Sequence, residues 1–302
     1  MLQRIAELAI PPAWREVWIC MDSIGHLQAT GLDAAGRKQY LYHERWRAHR
    51  DRLKFDSMLA FGRALPRMRR RVSRDLAGEE LSRERVLACA VRLLDLGFFR
   101  VGSEDYAEQN ESYGLSTIQK RHVSLGRGEV VFDYPAKSGQ RQIQAIADPD
   151  VLRVLRALKR RRGGGGKLLA HRDDRRWREV RADDVNAYIK VAAGGDFSAK
   201  DFRTWNATVL AAIALSAHDG ARPSRTARKR AIGDAIKTVS SYLGNTPAVC
   251  RASYVDPRVI DSYQSGTTIA PLIERLRDGP DLADERTRTR IEKAVLALLD
   301  DD

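Results

Sequence analysis

The sequence predicts an α+β protein of two domains: a small N-terminal antiparallel β domain with helices, residues 1–76, and a mainly α domain, residues 77–302, that contains one small β-sheet. Three observations carry this. A chain of 302 residues exceeds most single compact cores and suits two. Short alternating segments divided by turn residues precede Glu44, and apolar residues recur at helical spacing beyond it. A second group of short strand candidates occurs only between Lys120 and Ile146, inside the helical part.

The opening strands are REVWICMDS, HLQATGLD and RKQYLYH, with turns at DSIG and DAAG. WRAHRDRLKFDSMLAFGRAL follows as a helix, and Pro66 predicts its end. The basic cluster Arg67 to Arg74 then reads either as a solvated charge run or as an interdomain hinge suited to phosphate contacts. Ser82 is a plausible N-cap for RERVLACAVRLLDLGFF, whose Val86, Leu87, Ala90, Val91 and Leu94 share a face before Gly97 stops it. KRHVSL, GEVVFDY and RQIQAI are strand candidates, with Lys137 in the second turn. The helix DPDVLRVLRALKRRR, a flexible GGGG break and three further helices, ADDVNAYIKVAA, DFRTWNATVLAAIALS and TARKRAIGDAIKTVSSYL, lead to the turn GNTP and the segment SYVDP. DERTRTRIEKAVLALLDD closes the chain as an amphipathic helix.

Composition narrows the function classes. Lys and Arg number 53 against 40 Asp and Glu, a net charge of +13 that favours a polyanionic partner, nucleic acid first, although an inert arginine-rich surface fits the same count. No apolar run approaches the roughly 20 residues of a membrane span, and MLQRIAELAIPPAW lacks a secretory core. These features predict a cytoplasmic protein. Cys20, Cys89 and Cys250 form no CxxC pair, so neither a disulfide framework nor a zinc site is expected. GxxxxGK[ST], GxGxxG after a strand, HExxH and carboxylate clusters with metal spacing are all missing, so no cofactor or metal is expected. Phosphodiester chemistry without metal needs fixed cations, hydrogen-bond donors and a nucleophile from the protein itself. Arg, Lys, His or Asn, and Tyr are the side chains for it.

Five segments, in order, resemble the type IB DNA topoisomerases, especially their compact poxvirus-like and bacterial branch: GLDAAGRKQYLYH, FFRVGSEDYAEQNESYGLSTIQKRHV, the hairpin around AKSGQ, SAKDFRTWNAT and LGNTPAVCRASYV. The resemblance implies a bilobal clamp on double-stranded DNA, a monomer associated with the nucleoid, and relaxation of supercoils through a covalent 3′-phosphotyrosyl intermediate. By the same resemblance Tyr254 is the nucleophile, Arg100 and Arg203 hold the scissile phosphate, and Lys137 protonates the 5′ oxygen. Asn245 stands where many members carry histidine, so it implies transition-state stabilisation without proton transfer. The resemblance further implies that Lys200, one turn before Arg203, supplies another phosphate contact and that Gln39, Tyr40, Tyr42 and Tyr106 contact DNA. Ser103 and Asp105 replace residues that tend to be basic in viral members, which speaks against strict viral-type sequence specificity.

The residues alone leave several alternatives open. Tyr242 and Tyr263 compete with Tyr254, Lys120 and Lys159 flank Lys137, Asn245 suits a turn, and Tyr40 and Tyr42 suit strand packing. A tyrosine recombinase or integrase uses a similar residue set, but with HxxR where this chain has KDFR. A non-catalytic DNA-binding protein is the third reading.

Overall fold

The computed structural model describes residues 2–174, 176–218, 224–276 and 279–300, apart from the side chains of Asp105, Tyr106 and Ser138. It divides into two compact units, Met1–Ser57 and Met58–Asp302.

In the first unit, a short helix α1 (Leu2–Glu7) precedes an antiparallel sheet of β1 (Arg15–Ile19), β2 (Leu27–Leu32) and β3 (Lys38–Tyr42), in that spatial order. Thr30 of β2 lies opposite Trp18 on one side and Tyr40 on the other. Burial alternates along β3, as a two-residue period demands: Lys38, Tyr40 and Tyr42 face outward, Gln39 and Leu41 the other way. The turn DAAG is held by Asp33, whose carboxylate accepts from the backbone of Ala35 and Arg37 and from Gln39 Nε2.

Helix α2 (Glu44–Leu76) corrects the expectation at Pro66, because the helix runs through that residue and the basic cluster belongs to its last turns. An interior proline costs about 3 kcal/mol. Phe61, Leu65, Met68, Val72 and Leu76 continue the apolar stripe on both sides of it and are almost fully buried, at about 1.5–3 kcal/mol each. Packing therefore outweighs the proline, which sits on the exposed face. The predicted hinge is helix, and its register splits the arginines. Arg67, Arg70 and Arg74 are exposed, whereas Arg69 points into the core. There its guanidinium bonds both Asp95 oxygens, at 2.8 and 2.9 Å, and both Glu292 oxygens, at 2.6 and 2.7 Å.

The rest of the second unit is mainly helical. Helix α3 (Arg83–Leu96) begins at the Ser82 cap, whose side chain accepts from Arg85 N, and ends at Gly97. Helix α4 (Glu104–Asn110) leads to the antiparallel sheet β4 (Val123–Leu125), β5 (Val130–Pro135) and β6 (Arg141–Ile146). Then come α5 (Pro149–Arg160), the hairpin β7 (Ala170–Asp173) and β8 (Arg176–Glu179), α6 (Ala182–Ala193), α7 (Ala199–Ser216) and α8 (Arg225–Leu243). Four shorter or terminal helices finish it: α9 (Pro247–Ser253), α10 (Pro257–Ser265), α11 (Ala270–Ile273) and α12 (Glu285–Asp300). The β7–β8 hairpin escaped the sequence reading because its residues are mostly charged and show no apolar alternation. The GGGG stretch lies in the break between α5 and β7, largely exposed, with Gly164 against Trp177. Trp205 of α7 is fully buried and donates to Glu292, so α7 is anchored to the same ionic core as α2, α3 and α12.

Candidate active site

The site is assembled from four sequence-distant pieces of the second unit. The first is the strap that follows α3. Phe99 is buried edge-on against Phe132 of β5, with centroids 4.9 Å apart, which sends the next side chain, Arg100, away from the core. Leu115 N donates to Arg100 O and Ser116 N to Val101 O, both at 2.8 Å, so the strap is paired with the segment YGLS. This pairing needs glycine twice. Gly102 has a φ of +87°, and a Cβ on Gly114 would fall 2.4 Å from the Gly102 Cα.

The second piece is the β5–β6 hairpin, whose tip carries Lys137 in a short 3₁₀ turn. Tyr113 N donates to Pro135 O at 2.8 Å and the Ser112 hydroxyl donates to Ala136 O at 3.1 Å, which fastens the base of the hairpin beside the strap. Lys137 is exposed. Its rivals are engaged elsewhere: Lys120 donates to Arg161 O and Lys159 to Val123 O.

Helix α7 is the third piece. Ser198 and Asp201 form its capping box, and Lys200 and Arg203 emerge from its first turns. Lys200 is exposed, but Arg203 is only 4% accessible and donates to Phe98 O and, at 2.9 Å, to Leu243 O. One guanidinium thus joins the strap, α7 and the end of α8.

The fourth piece is the α8–α9 turn. Gly244 ends α8 in the left-handed region, Thr246 caps α9 through its hydroxyl with Pro247 at the first helical position, and Tyr254 closes α9. Arg100 reaches this turn and donates to Gly244 O at 3.3 Å and to Asn245 Oδ1 at 2.6 Å. The guanidinium of Arg203 lies over the Tyr254 ring, 5.2 Å from its centroid.

Arg100, Lys137, Lys200, Arg203 and Tyr254 line one cleft of about 380 Å³, together with Ser112 and Tyr113. Four cations and two phenols, those of Tyr254 and Tyr113, line it, and among the described residues no carboxylate does. Burial pushes the Tyr254 phenol up, but the charges of Arg203, Arg100 and Lys200 outweigh it, and the net direction is below the ordinary tyrosine value. Arg203 is brought down to about 10 by burial and by the neighbouring Arg100. It stays charged at neutral pH, yet the pair lacks an anion. Two donors are unspent: Arg203 Nε and Asn245 Nδ2 are buried without a hydrogen-bond partner among the described residues. The arrangement can therefore bind a tetrahedral anion and hold a phenolate beside it.

Asn245 is absent from the cleft lining and joins the site through Arg100. Tyr242 is exposed against Phe98, Tyr263 is buried in α10, and neither reaches the cleft. Tyr106 lies on α4, and its side chain is outside the described residues. Gln39, Tyr40 and Tyr42 belong to the first unit, where Tyr40 and Tyr42 stack at 6.1 Å and Lys38 approaches the Tyr40 ring. Reading single residues missed Ser112 and Tyr113, although both lie in the ESYGLST run already noted.

Comparison with known proteins gives two family matches. Residues 43–270 match the catalytic core of eukaryotic DNA topoisomerase I, and residues 1–33 match the N-terminal domain of bacterial DNA topoisomerase IB. The chain is similar to DNA topoisomerase 1B of Acanthamoeba polyphaga mimivirus, 31% identical over 92% of this chain and 84% of the relative. It is also similar to DNA topoisomerase 1B of Vaccinia virus (strain Copenhagen), 19% identical over 80% and 73%. DNA topoisomerase 1 of Schizosaccharomyces pombe is 30% identical over 45% of this chain and 16% of that protein.

Proposed function

This chain belongs to the type IB DNA topoisomerase family, and from that premise we propose that it relaxes supercoiled duplex DNA by transesterification at Tyr254. The observation that carries the assignment of the nucleophile is the Tyr254 phenol, driven below its ordinary pKa by three cations in a cleft that no carboxylate lines among the described residues. A phenol is a poor nucleophile at neutral pH unless positive charge favours the phenolate.

In the proposed reaction the Tyr254 phenolate oxygen attacks the scissile phosphorus while the bond from phosphorus to the 5′ oxygen breaks. The Lys137 ammonium, at the hairpin tip, gives its proton to the departing 5′ oxygen. Arg100 and Arg203 neutralise the non-bridging oxygens, with the unspent Arg203 Nε and Asn245 Nδ2 as added donors. Lys200 contributes charge at the cleft mouth. The product is a 3′-phosphotyrosyl bond and a free 5′ hydroxyl, and the reverse attack restores the strand after swivelling. One phosphodiester replaces another, so the bond energy is conserved and religation needs no ATP.

Lys38, Tyr40 and Tyr42 offer a basic and aromatic face for phosphates or base edges, and Gln39, on the other face of the strand, and Tyr106 join them by resemblance alone. We assign DNA docking to residues 1–76 and catalysis to residues 77–302, in a monomer that works at the nucleoid. Among the described residues no helix is long and apolar enough to cross a membrane.

The test is incubation of the protein with supercoiled plasmid in EDTA without ATP. The expected result is relaxation through a ladder of topoisomers, abolished by Tyr254→Phe while DNA binding persists. Absence of relaxation by monodisperse protein, or joining of strands only at specific paired sites, would overturn the reading and favour a recombinase. Activity retained by Tyr254→Phe would move the nucleophile elsewhere.

A further inference from the structure

Thr208 lies on α7, five residues beyond Arg203, and is fully buried. Its hydroxyl oxygen accepts from Asp256 N at 3.2 Å, and the hydroxyl stands 3.3 Å from Tyr254 O and 3.4 Å from Met58 Sδ as a donor. The two backbone contacts grip both sides of Val255, which is itself fully buried. On the other side of the tyrosine, Tyr254 N donates to Cys250 O at 3.0 Å and Val255 N to the same oxygen at 3.2 Å. Asp256 is inaccessible and caps α10 by accepting from Arg258 N, so α10 begins from the peptide that Thr208 holds.

The nucleophile therefore sits at a break between two short helices, α9 and α10, neither long enough to fix its own position. Helix α7 is long and anchored through Trp205 to the buried ionic core. It carries Lys200 and Arg203 at the cleft and Thr208 at the tyrosine backbone. One rigid element thus spans the distance between the phosphate-binding guanidinium and the chain that bears the phenol.

We propose that Thr208 is a positioning residue for the cleavage step: its hydroxyl clasps the Tyr254–Asp256 backbone to α7 and so sets the phenol oxygen for in-line attack beside Arg203. The proposal rests on Tyr254 being the nucleophile. Thr208 touches neither phosphate nor leaving group, so its effect is confined to the geometry of attack. A displacement of about 1 Å at a reacting group costs on the order of 10²-fold in rate.

The test is single-turnover cleavage of suicide duplexes carrying a site mapped on plasmid DNA, with thermal melting and non-covalent DNA affinity measured in parallel. Thr208→Val keeps the shape and removes the hydroxyl; Thr208→Ser keeps the hydroxyl. The valine variant is expected to cleave roughly 10- to 100-fold more slowly, with DNA affinity within about twofold and the pH limb of cleavage unmoved, because the cations remain. Serine is expected to restore the rate to within about threefold. A substrate with sulfur in place of the bridging 5′ oxygen, whose departure needs no proton, leaves the valine defect in place, since attack and not protonation is impaired. If valine disrupts the fold, Thr208→Ala takes its place in the same series.

Cleavage by the folded valine or alanine variant at the wild-type rate would overturn the proposal, as would a serine variant as slow as valine or a defect confined to DNA affinity. Covalent adduct formation by Tyr254→Phe would instead refute the premise. Loss of the adduct in Tyr254→Phe with normal cleavage in Thr208→Val refutes Thr208 alone.

Discussion

Substitution of Asn245 separates a transition-state donor from a turn residue. Asn245 Oδ1 is committed to Arg100 at 2.6 Å, which orients the amide and leaves Nδ2 buried without a partner among the described residues. A buried donor left unsatisfied costs about 1–3 kcal/mol, recovered when a phosphoryl oxygen accepts from it. Loss of one such donor typically removes about 2.7–4 kcal/mol of transition-state stabilisation. At 1.36 kcal/mol per decade, Asn245→Ala is expected to slow cleavage by about 10²–10³-fold. Asn245→Asp preserves size, suits the turn and strengthens the bond to Arg100, yet replaces a donor with an anion. Two like charges about 4 Å apart near a protein surface repel by about 4 kcal/mol, so Asp is expected to be worse than Ala. Asn245→His, which restores a donor, is expected to be tolerated. Single-turnover cleavage of a labelled suicide duplex measures all three. A wild-type rate for Ala, or an Asp variant at least as fast as Ala, would reduce Asn245 to a turn residue and refute the reasoning.

Three further outcomes are expected. Lys137→Ala should slow cleavage of ordinary DNA by about 10²–10⁴-fold, the usual range for a general acid, and should lose most of that defect on the sulfur-substituted duplex; an unchanged defect on that duplex would show that Lys137 does not protonate the leaving group. Lys200→Ala removes one of the charges that hold the Tyr254 phenol down against burial, so the phenol rises and the limb on which cleavage increases with pH should move to higher pH; a limb that stays put or moves down would contradict the assignment. Arg69→Leu removes the partner that both Asp95 and Glu292 share in the core, leaving Asp95 to Arg288 at 3.4 Å and Glu292 to Trp205, and should destabilise the fold by about 3–5 kcal/mol, read by urea unfolding. Burial pushes the Asp95 carboxyl up, but Arg69 and Arg288 outweigh it and hold it below its ordinary value. Its contribution is therefore present above the unfolded pKa and lost as pH falls through the lower folded one. The difference between wild type and Arg69→Leu should accordingly shrink on acidification, and a constant difference would argue against the ion pair as the source.

Elements whose signals are local were legible in the sequence. The Ser82 cap, the Gly97 stop, the alternation along β3 and the helix carrying Lys200 and Arg203 all depend on neighbours within a few positions. One local signal misled: Pro66 marked an end to α2 that the surrounding apolar stripe overrode. The glycine run does break the chain between α5 and β7. The β7–β8 hairpin gave no signal, since its charged residues lack the alternation by which a strand is recognised.

By itself, the sequence determined which side chains were available: two arginines, a lysine and a tyrosine in separate motifs, and a surplus of positive charge. Their convergence was decided in three dimensions. Arg100 meets Asn245 across 145 positions, and Arg203 meets Phe98 across 105. Only that meeting lowers the Tyr254 phenol and leaves Arg203 Nε and Asn245 Nδ2 unspent; in the same way Asp95 and Glu292, distant in sequence, hold Arg69 in the core while its neighbours stay outside. The physical reason is that burial, electric field and unsatisfied hydrogen-bonding capacity belong to a packed environment, and residues far apart in the chain supply that environment to each other.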